Sequence, residues 1–241
     1  MKVLITICAR GGSKGIPGKN IKLLNGKPLI YYSLNTATNF INSIEDGDIV
    51  LSTDDEEIKK TVRSLDFNLD TAYTRPEDLA SDTAGKIDVI QDVLMYSERK
   101  NRKKYDYIID LDVTSPLRTV EDLSEAFAVL KNRNDVYNIF SVSPANRNPY
   151  FNMVEEGDDG FFSTCKKGAF LTRQSAPKVY DMNASFYIYT AAFFKDNQKI
   201  AITDKSLVYV VPHICFDLDH PIDFLTMSFL MEKKLLDFEM E

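Results

Sequence analysis

Short runs of Val, Ile and Leu recur along this chain with amphipathic stretches between them, and that alternation leaves few folds open. A strand buried on both faces reads as a continuous apolar run. Parallel neighbours also need a crossover, usually a helix, so the rhythm specifies βαβ units and a mostly parallel sheet covered on both sides. Strands are expected at residues 2–8, 48–53, 67–73, 106–112, 137–143, 184–190 and 207–211, and helices near 28–42, 55–64, 83–99, 120–132 and 220–235. Asp82 or Ser81 is placed to cap the third helix and Thr119 the fourth, each oxygen accepting an otherwise orphaned backbone N–H. Residues 144–182 break the rhythm, with Pro144, Asn148-Pro149, Glu156-Gly157-Asp158-Asp159-Gly160, Gly168 and Pro177 separating short aromatic segments, the pattern of inserted hairpins. The expected fold is α/β, a Rossmann-like three-layer sandwich with a small β-rich insertion. A single domain over 1–241 with that insertion at about 144–182 suits the length better than two domains.

Charge then removes whole classes of partner. Lys and Arg total 29 against 36 Asp and Glu, a formal net charge of −7, whereas nucleic acid and anionic membrane surfaces are held by dense basic fields. The one basic run, Arg99-Lys100-Asn101-Arg102-Lys103-Lys104, closes the third helix, where cations favour the helix dipole. Cys8, Cys165 and Cys215 are odd in number and lack a CxxC pairing, which suggests neither a disulfide framework nor a zinc site. The apolar start, Met1 to Cys8, runs directly into Arg10 and Lys14 and is too short for a signal segment or a membrane span, so it reads as a first strand and the protein as cytoplasmic.

Directly after that strand comes Ala9-Arg10-Gly11-Gly12-Ser13-Lys14-Gly15-Ile16-Pro17-Gly18-Lys19-Asn20. Four glycines permit positive φ and close backbone approach, successive N–H groups can form an anion nest, and Arg10, Lys14 and Lys19 add three cations. This is the composition of a triphosphate cradle. A Walker A loop would need Gly in place of Ser13 and Ser or Thr in place of Asn20, and GxGxxG would also need Gly at Ser13, so both commoner phosphate loops fail on spacing. Near the other end, Asp217-Leu218-Asp219 places two carboxylates at alternate positions of an extended segment. Their side chains share a face and can converge on one hard cation. Asp223 reads as a cap or support for the following helix, His220 as exposed and His213 as structural.

On these residues the chain resembles the acylneuraminate (CMP-sialate) cytidylyltransferase family, whose opening motif reads nearly as ARGGSKGIPGKN does here. Ser52-Thr53-Asp54-Asp55, Arg75-Pro76-Glu77-Asp78-Leu79-Ala80-Ser81-Asp82 and Asp217-Leu218-Asp219 match further family segments, and the likeness runs over residues 2–235. It implies a nucleotidyltransferase-type sandwich that joins CMP from CTP to the anomeric 2-hydroxyl of a nine-carbon, sialic-acid-like keto-sugar acid and releases pyrophosphate. Arg10, Lys19 and Asp219 would be catalytic. Gly11, Gly12, Ser13, Lys14, Asn20, Arg75 and Ser81 would hold CTP, and Asp217 and Asp219 would hold Mg²⁺.

For the sugar, the resemblance points to Asp112, Thr114 and Ser115 at the end of the fourth strand and to Arg173, Gln174 and Asn183 in and after the insertion. The family commonly has Gln-Pro-Thr-Ser-Pro-Leu-Arg where this chain has Asp112-Val113-Thr114-Ser115-Pro116-Leu117-Arg118, and Asn-Gly-Ala where it has Asn183-Ala184-Ser185. An acidic residue there suits a hydroxyl, an amide N–H or the metal better than a carboxylate. The combination ICARGGSKG, LDVTSPLR and RQSAPK-YDMNAS is most similar to the subgroup that activates legionaminic acid, with N-acetylneuraminic acid next. Enzymes for pseudaminic acid or for 3-deoxy-manno-octulosonate are the alternative, the latter disfavoured because they carry Gln-Gly-Asp-Glu-Pro at residues 112–116. A non-catalytic nucleotide sensor is disfavoured by the intact Asp217 and Asp219. The family also implies a homodimer in which the insertion reaches the partner's site.

Overall fold

The first apolar run forms β1 (Lys2–Cys8), and Val3 to Ile7 are wholly enclosed. Their alternating side chains serve two layers: Val3, Ile5 and Ile7 join one core and Leu4 the other. After β1 come β2 (Leu23–Leu24), β3 (Lys27–Pro28), α1 (Leu29–Ile41), β4 (Asp46–Ser52), α2 (Glu56–Arg63), α3 (Lys86–Asn101), β5 (Tyr107–Asp112) and α4 (Val120–Lys131). The second half contributes β6 (Asn138–Pro144), β7 (Val154–Glu156), β8 (Phe162–Thr164), β9 (Tyr180–Thr190), α5 (Ala191–Lys195), β10 (Ser206–Val210) and α6 (Pro221–Glu232). The computed structural model describes residues 1–168 and 170–240. Ala169, inside the 144–182 stretch, and Glu241, at the end of the expected 1–241 domain, lie outside the described residues.

Six strands form the central sheet in the order β10-β6-β9-β5-β1-β4. β1 pairs in parallel with β4 and β5, and β10 in parallel with β6, while β9 runs antiparallel between β5 and β6. One core packs α1 and α4 against the sheet through residues such as Leu34, Phe40, Phe127 and Leu130. The other packs α3 and α5 through Ile90, Val93 and Phe193. This is the mostly parallel three-layer α/β sandwich the rhythm demands, with one reversed strand. That strand starts at Tyr180, just inside the stretch expected as an insertion, and before it β7 and β8 form a separate antiparallel hairpin.

Two sequence expectations shift. The strand expected at 67–73 shrinks to a single bridge between Val50 and Asp70, with Leu51 donating to the Asp70 carbonyl at 2.9 Å and Asp70 donating to Ile49 at 2.8 Å. The Asp70 carboxylate accepts from Ala72 N–H at 2.8 Å, an Asx turn that bends the chain away after one rung. The third helix starts at Lys86, not 83, and its N-cap Gly85 provides no side-chain cap, so neither Ser81 nor Asp82 caps it. The fourth helix is capped as expected: Thr119 accepts from Asp122 N–H, and the Asp122 carboxylate accepts in return from Thr119 N–H.

Asp122 also receives His213, the link that fastens the segment after β10. The two ring nitrogens of His213 face the Asp122 carboxylate at 2.9 Å and the Ile214 carbonyl at 3.0 Å, and the ring stacks on Phe238. Both partners are acceptors, so only the doubly protonated imidazolium satisfies both. Burial by itself would lower the pKa of His213, but the hydrogen bonds to Asp122 and Ile214 carry it above its ordinary 6.5. A folded pKa above the unfolded one gives stabilisation that is complete below about pH 6.5 and lost as pH rises through the folded value. Thermal unfolding of the protein and of His213→Gln should therefore differ most at or below about pH 6.5 and converge at higher pH. Each kcal/mol should appear as about 2–4 °C in Tm. A gap constant from pH 6 to 9 would contradict this.

Candidate active site

β1, β4 and β5 run in parallel, so the loops that leave their carboxyl ends open on one side of the sheet, where a cleft of about 480 Å³ lies. The glycine-rich loop after β1 is pinned rather than floppy. Ala9 N–H donates to the Ser52 carbonyl at 2.9 Å, Gly11 N–H to Asp54 Oδ1 at 2.9 Å, and the Asn20 side-chain amide to the Arg10 carbonyl at 2.9 Å. Gly12 and Gly18 take φ of +67° and +63°, a left-handed backbone that disfavours a side chain. Gly15 is required for a different reason: a Cβ there would fall on the carbonyl oxygen of Asp219. Asp55, not Asp54, caps α2 through the N–H groups of Glu57 and Ile58, which frees Asp54 to hold the loop.

Each of the loop's three cations has an acidic partner across the cleft. Arg10 lies 2.6 Å from Asp82 Oδ1, and Lys14 pairs with the other oxygen of the same carboxylate. Lys19 donates to the Leu218 carbonyl at 2.7 Å and reaches Asp219 Oδ1 at 3.4 Å. The amino-terminal loop and the aspartates near the carboxyl end are thus in direct contact.

The segment bearing those aspartates is held by its middle residue. Leu218 is fully buried and donates its N–H to the Thr114 carbonyl at 2.8 Å, leaving its neighbours to face away from that core. Asp219 is exposed. Its N–H and that of His220 donate to Asp223 Oδ2, which supports the start of α6. Asp217 is partly buried, and its Oδ1 is enclosed without a hydrogen-bond partner. Burial, with the nearby charges of Asp112 and Asp219, pushes its carboxyl up to about 6. An enclosed carboxylate oxygen without a hydrogen-bond partner, two residues from the exposed Asp219, is what a hard divalent cation would complete. Among the described residues no group of three or more His, Cys, Asp or Glu side chains is gathered for a metal. A donor set of two carboxylates, the rest coming from phosphate and water, fits Mg²⁺.

At the end of β5, Asp112 is fixed on both oxygens. Oδ1 accepts from the N–H and hydroxyl of Thr114, both at 2.9 Å, and Oδ2 accepts from Lys86 at 2.7 Å. Although burial works against its charge, Lys86 and Thr114 hold the carboxyl at about 2. Lys86 also lies 2.8 Å from the buried Asp110. Burial disfavours its ammonium, yet the two carboxylates carry its pKa well above the usual lysine range. The sequence offers Lys86 only as a weaker candidate for facing the cytidine and its phosphates; its pairing with two carboxylates spaced i, i+2 on β5 comes from the fold.

The cleft is lined by Arg10, Ser13, Lys14, Lys19, Asn20 and Asp219, together with Arg75, Ser81, Asp112 and Thr114. Gly11 and Gly12 border an adjoining groove with Asp54 and Asp82. Arg75 is buried and donates to the Ser52 hydroxyl at 3.1 Å and the Ser52 carbonyl at 2.9 Å, so it stiffens the wall while showing one edge. Ser115 and Asn183 do not open onto the cleft. Ser115 donates to the Asn183 carbonyl at 2.7 Å, and the Asn183 amide is occupied by Ser141 and Ser143, which ties β9 to the loop after β5. Ala184 takes φ of +53° there, the position where the resembled family has glycine. Arg173 and Gln174 line a separate groove of about 600 Å³, with Arg173 donating to the carbonyls of Ala145 and Asn146.

Comparison with known proteins agrees with this geometry. The family described as Cytidylyltransferase matches residues 4–224. The chain is similar to post-translational flagellin modification protein B of Campylobacter coli, 42% identical over 98% of this chain and 97% of the relative. It is also similar to CMP-N,N'-diacetyllegionaminic acid synthase of Campylobacter jejuni, 38% identical over 98% of this chain and 97% of the relative. Among solved structures, a CMP:2-keto-3-deoxy-manno-octonic acid synthetase complexed with CTP shares the fold. It has a TM-score of 0.69 at 15% identity, with 97% of this chain and 100% of the other covered. With a glycine-and-cation loop meeting the Asp217-Leu218-Asp219 segment at the carboxyl edge of a mostly parallel sheet, and with matches spanning almost its whole length, the chain belongs to the cytidylyltransferase family of nucleotidyltransferase enzymes.

Proposed function

We propose that the protein transfers CMP from CTP to the anomeric 2-hydroxyl of a nine-carbon, sialic-acid-like keto-sugar acid, legionaminic acid in preference to N-acetylneuraminic acid, and releases pyrophosphate. The observation that carries the proposal is the direct contact of the glycine-and-cation loop with the Asp217-Leu218-Asp219 segment across one cleft. The relative from C. jejuni named for CMP-N,N'-diacetyllegionaminic acid supports the choice of sugar.

In this reading the triphosphate takes over Arg10 and Lys14 from Asp82, and the loop's N–H groups and Asn20 hold the pyrophosphate end. Ser13, Gly11 and Gly12 shape the cradle, while Arg75 and Ser81 line the nucleotide side. Asp217 and Asp219 would hold Mg²⁺, which when bound would supply positive charge against the phosphates. Asp219, exposed at the cleft, accepts the proton of the attacking hydroxyl. Oxygen attack at the α-phosphorus forms one P–O bond as the bond to the β-phosphate breaks. Arg10 and Lys19 neutralise the charge that accumulates on the leaving pyrophosphate. Asp112 and Thr114 meet the sugar, and Ser115 and Asn183 support that wall from behind. Arg173 and Gln174 lie in the insertion, so they serve a sugar site only if the insertion closes over one, their own or that of a second copy.

We extend the proposal to a homodimer built through residues 144–182. Phe161 is 76% exposed, Phe162 65% and Leu171 93%, an apolar display that suits burial against another copy. No helix among the described residues is long and apolar enough to cross a membrane, and a reaction that consumes CTP belongs in the cytoplasm.

Two results test the reading. Arg10→Ala and Asp219→Asn should each lower kcat for pyrophosphate release by about 10²–10³, the cost of losing one preorganised charge, without lowering Tm. Near-normal turnover in either variant would remove it from the machinery. Across CTP, UTP, GTP and ATP, release should require CTP. Across N-acetylneuraminic, legionaminic and pseudaminic acids, kcat/KM should be highest for legionaminic acid, and a higher value for pseudaminic acid would reassign the sugar.

A further inference from the structure

Asp82 stands where the charge of a bound phosphate is expected, and the fold around it does not need its carboxylate. It lies between the 3-10 turn Glu77–Leu79 and α3. Other groups close that stretch: Leu79 and Ala80 N–H donate to the Pro76 and Glu77 carbonyls, both at 3.1 Å, Ala84 N–H donates to the Ser81 carbonyl at 3.4 Å, and the Ser81 hydroxyl donates to the Asp78 carbonyl at 3.3 Å. Among the described residues the Asp82 carboxylate meets only Arg10 and Lys14, one on each oxygen. Arg10 also reaches the Ala80 carbonyl at 3.5 Å, so the guanidinium is drawn toward this stretch. Lys14 and Arg10 hold the Asp82 carboxyl below its ordinary value, so at neutral pH it stays ionised and gives up its partners only in exchange for another anion. All three side chains are exposed to solvent, and exposed pairs are weak enough for such an exchange.

A resident anion of this kind acts on every ligand that needs the same two cations. Arg10 and Lys14 can receive phosphate only in the fraction of molecules where Asp82 has let go, and the apparent affinity falls by that fraction. The factor is common to the triphosphate that enters and the pyrophosphate that leaves. Pyrophosphate offers little but charge and has to depart before the loop can accept another triphosphate. We infer that Asp82 is a positioning residue that acts through Arg10 and Lys14: it takes both cations back from pyrophosphate and so sets how readily that product leaves. The inference rests on the proposed cleavage of CTP to pyrophosphate at this loop. A carboxylate that merely held the two cations in place for the ligand would have the opposite effect, since its loss would weaken phosphate binding.

Product inhibition by pyrophosphate, measured during turnover of CTP and legionaminic acid with Mg²⁺, tests it in the unsubstituted protein, Asp82→Asn, Asp82→Glu and Asp78→Asn. Asp82→Asn keeps the shape and loses the charge. It should lower the inhibition constant for pyrophosphate about three- to tenfold, the range expected when two weak exposed pairs are lost together. KM for CTP should fall with it, kcat should not rise, and KM for the sugar should stay within about twofold. Asp82→Glu, which restores the charge, should return the inhibition constant to within about twofold of the unsubstituted value. Asp78→Asn removes an exposed carboxylate from the same stretch that touches neither cation, and should leave the constant within about twofold as well. Calorimetric titration with pyrophosphate should order the variants in the same way. Unchanged or weakened pyrophosphate binding in Asp82→Asn, or equal tightening in Asp78→Asn, would overturn the inference. No turnover of CTP by the unsubstituted protein with any nine-carbon sugar acid would overturn the proposed function as well, whereas an active protein with an indifferent Asp82→Asn would overturn the inference alone.

Discussion

The loop after β1 and the segment before α6 are some two hundred residues apart in sequence, and the site depends on their touching. Lys19 reaches the Leu218 carbonyl, and Gly15 lies so close to the Asp219 carbonyl that no side chain fits between. Each partner is held from behind. The loop is tied to β4 through Ala9 and Asp54, and the aspartate segment is tied to β5 through Leu218 and to α6 through Asp223. The sheet sets the distance between the two sides of the cleft, and the contact sets their orientation. Burial of Leu218, a wholly apolar event, therefore decides where Asp217 and Asp219 point.

The charges that line the cleft pair with one another. Arg10 and Lys14 share Asp82, and all three side chains are exposed to solvent, so these pairs are worth little. That weakness suits the proposed site, whose cations would stay extended yet change partner when a triphosphate arrives. The Lys86–Asp110–Asp112 cluster is of the opposite kind. Its deepest carboxylate is fully enclosed, so releasing its partner is far more costly, and the cluster acts as fixed scaffolding.

These two clusters mark where the sequence could and could not be read. The glycine loop is legible because positive φ, close approach and charge are demands of local backbone, and residue types record them directly. Of the two aspartates, Asp219 lines the cleft opposite the loop, as alternation about a buried Leu218 allows, whereas Asp217 is drawn partly into the fold. The capping rule led Asp82 to be expected at the start of a helix, since that rule knows only near neighbours. In the fold, two cations from residues 10 and 14 compete for the same carboxylate and win. The strand expected at 67–73 has the right apolar content, but the Asp70 turn ends it after one rung. Lys86 acquires its role from the register between β5 and the start of α3, and Ser115 and Asn183 acquire theirs from an antiparallel strand inserted between parallel neighbours. Such long-range pairings leave no mark in a single sequence.

The central claim is that the contact between loop and aspartates builds the triphosphate site, and Gly15→Ala strikes that contact without removing a charge or a hydrogen-bonding side chain. Calorimetric titration of CTP with Mg²⁺ should show binding weakened at least about tenfold, because the added methyl separates Lys19 and the loop from Asp219. Unaltered affinity in a folded Gly15→Ala protein would contradict the claim.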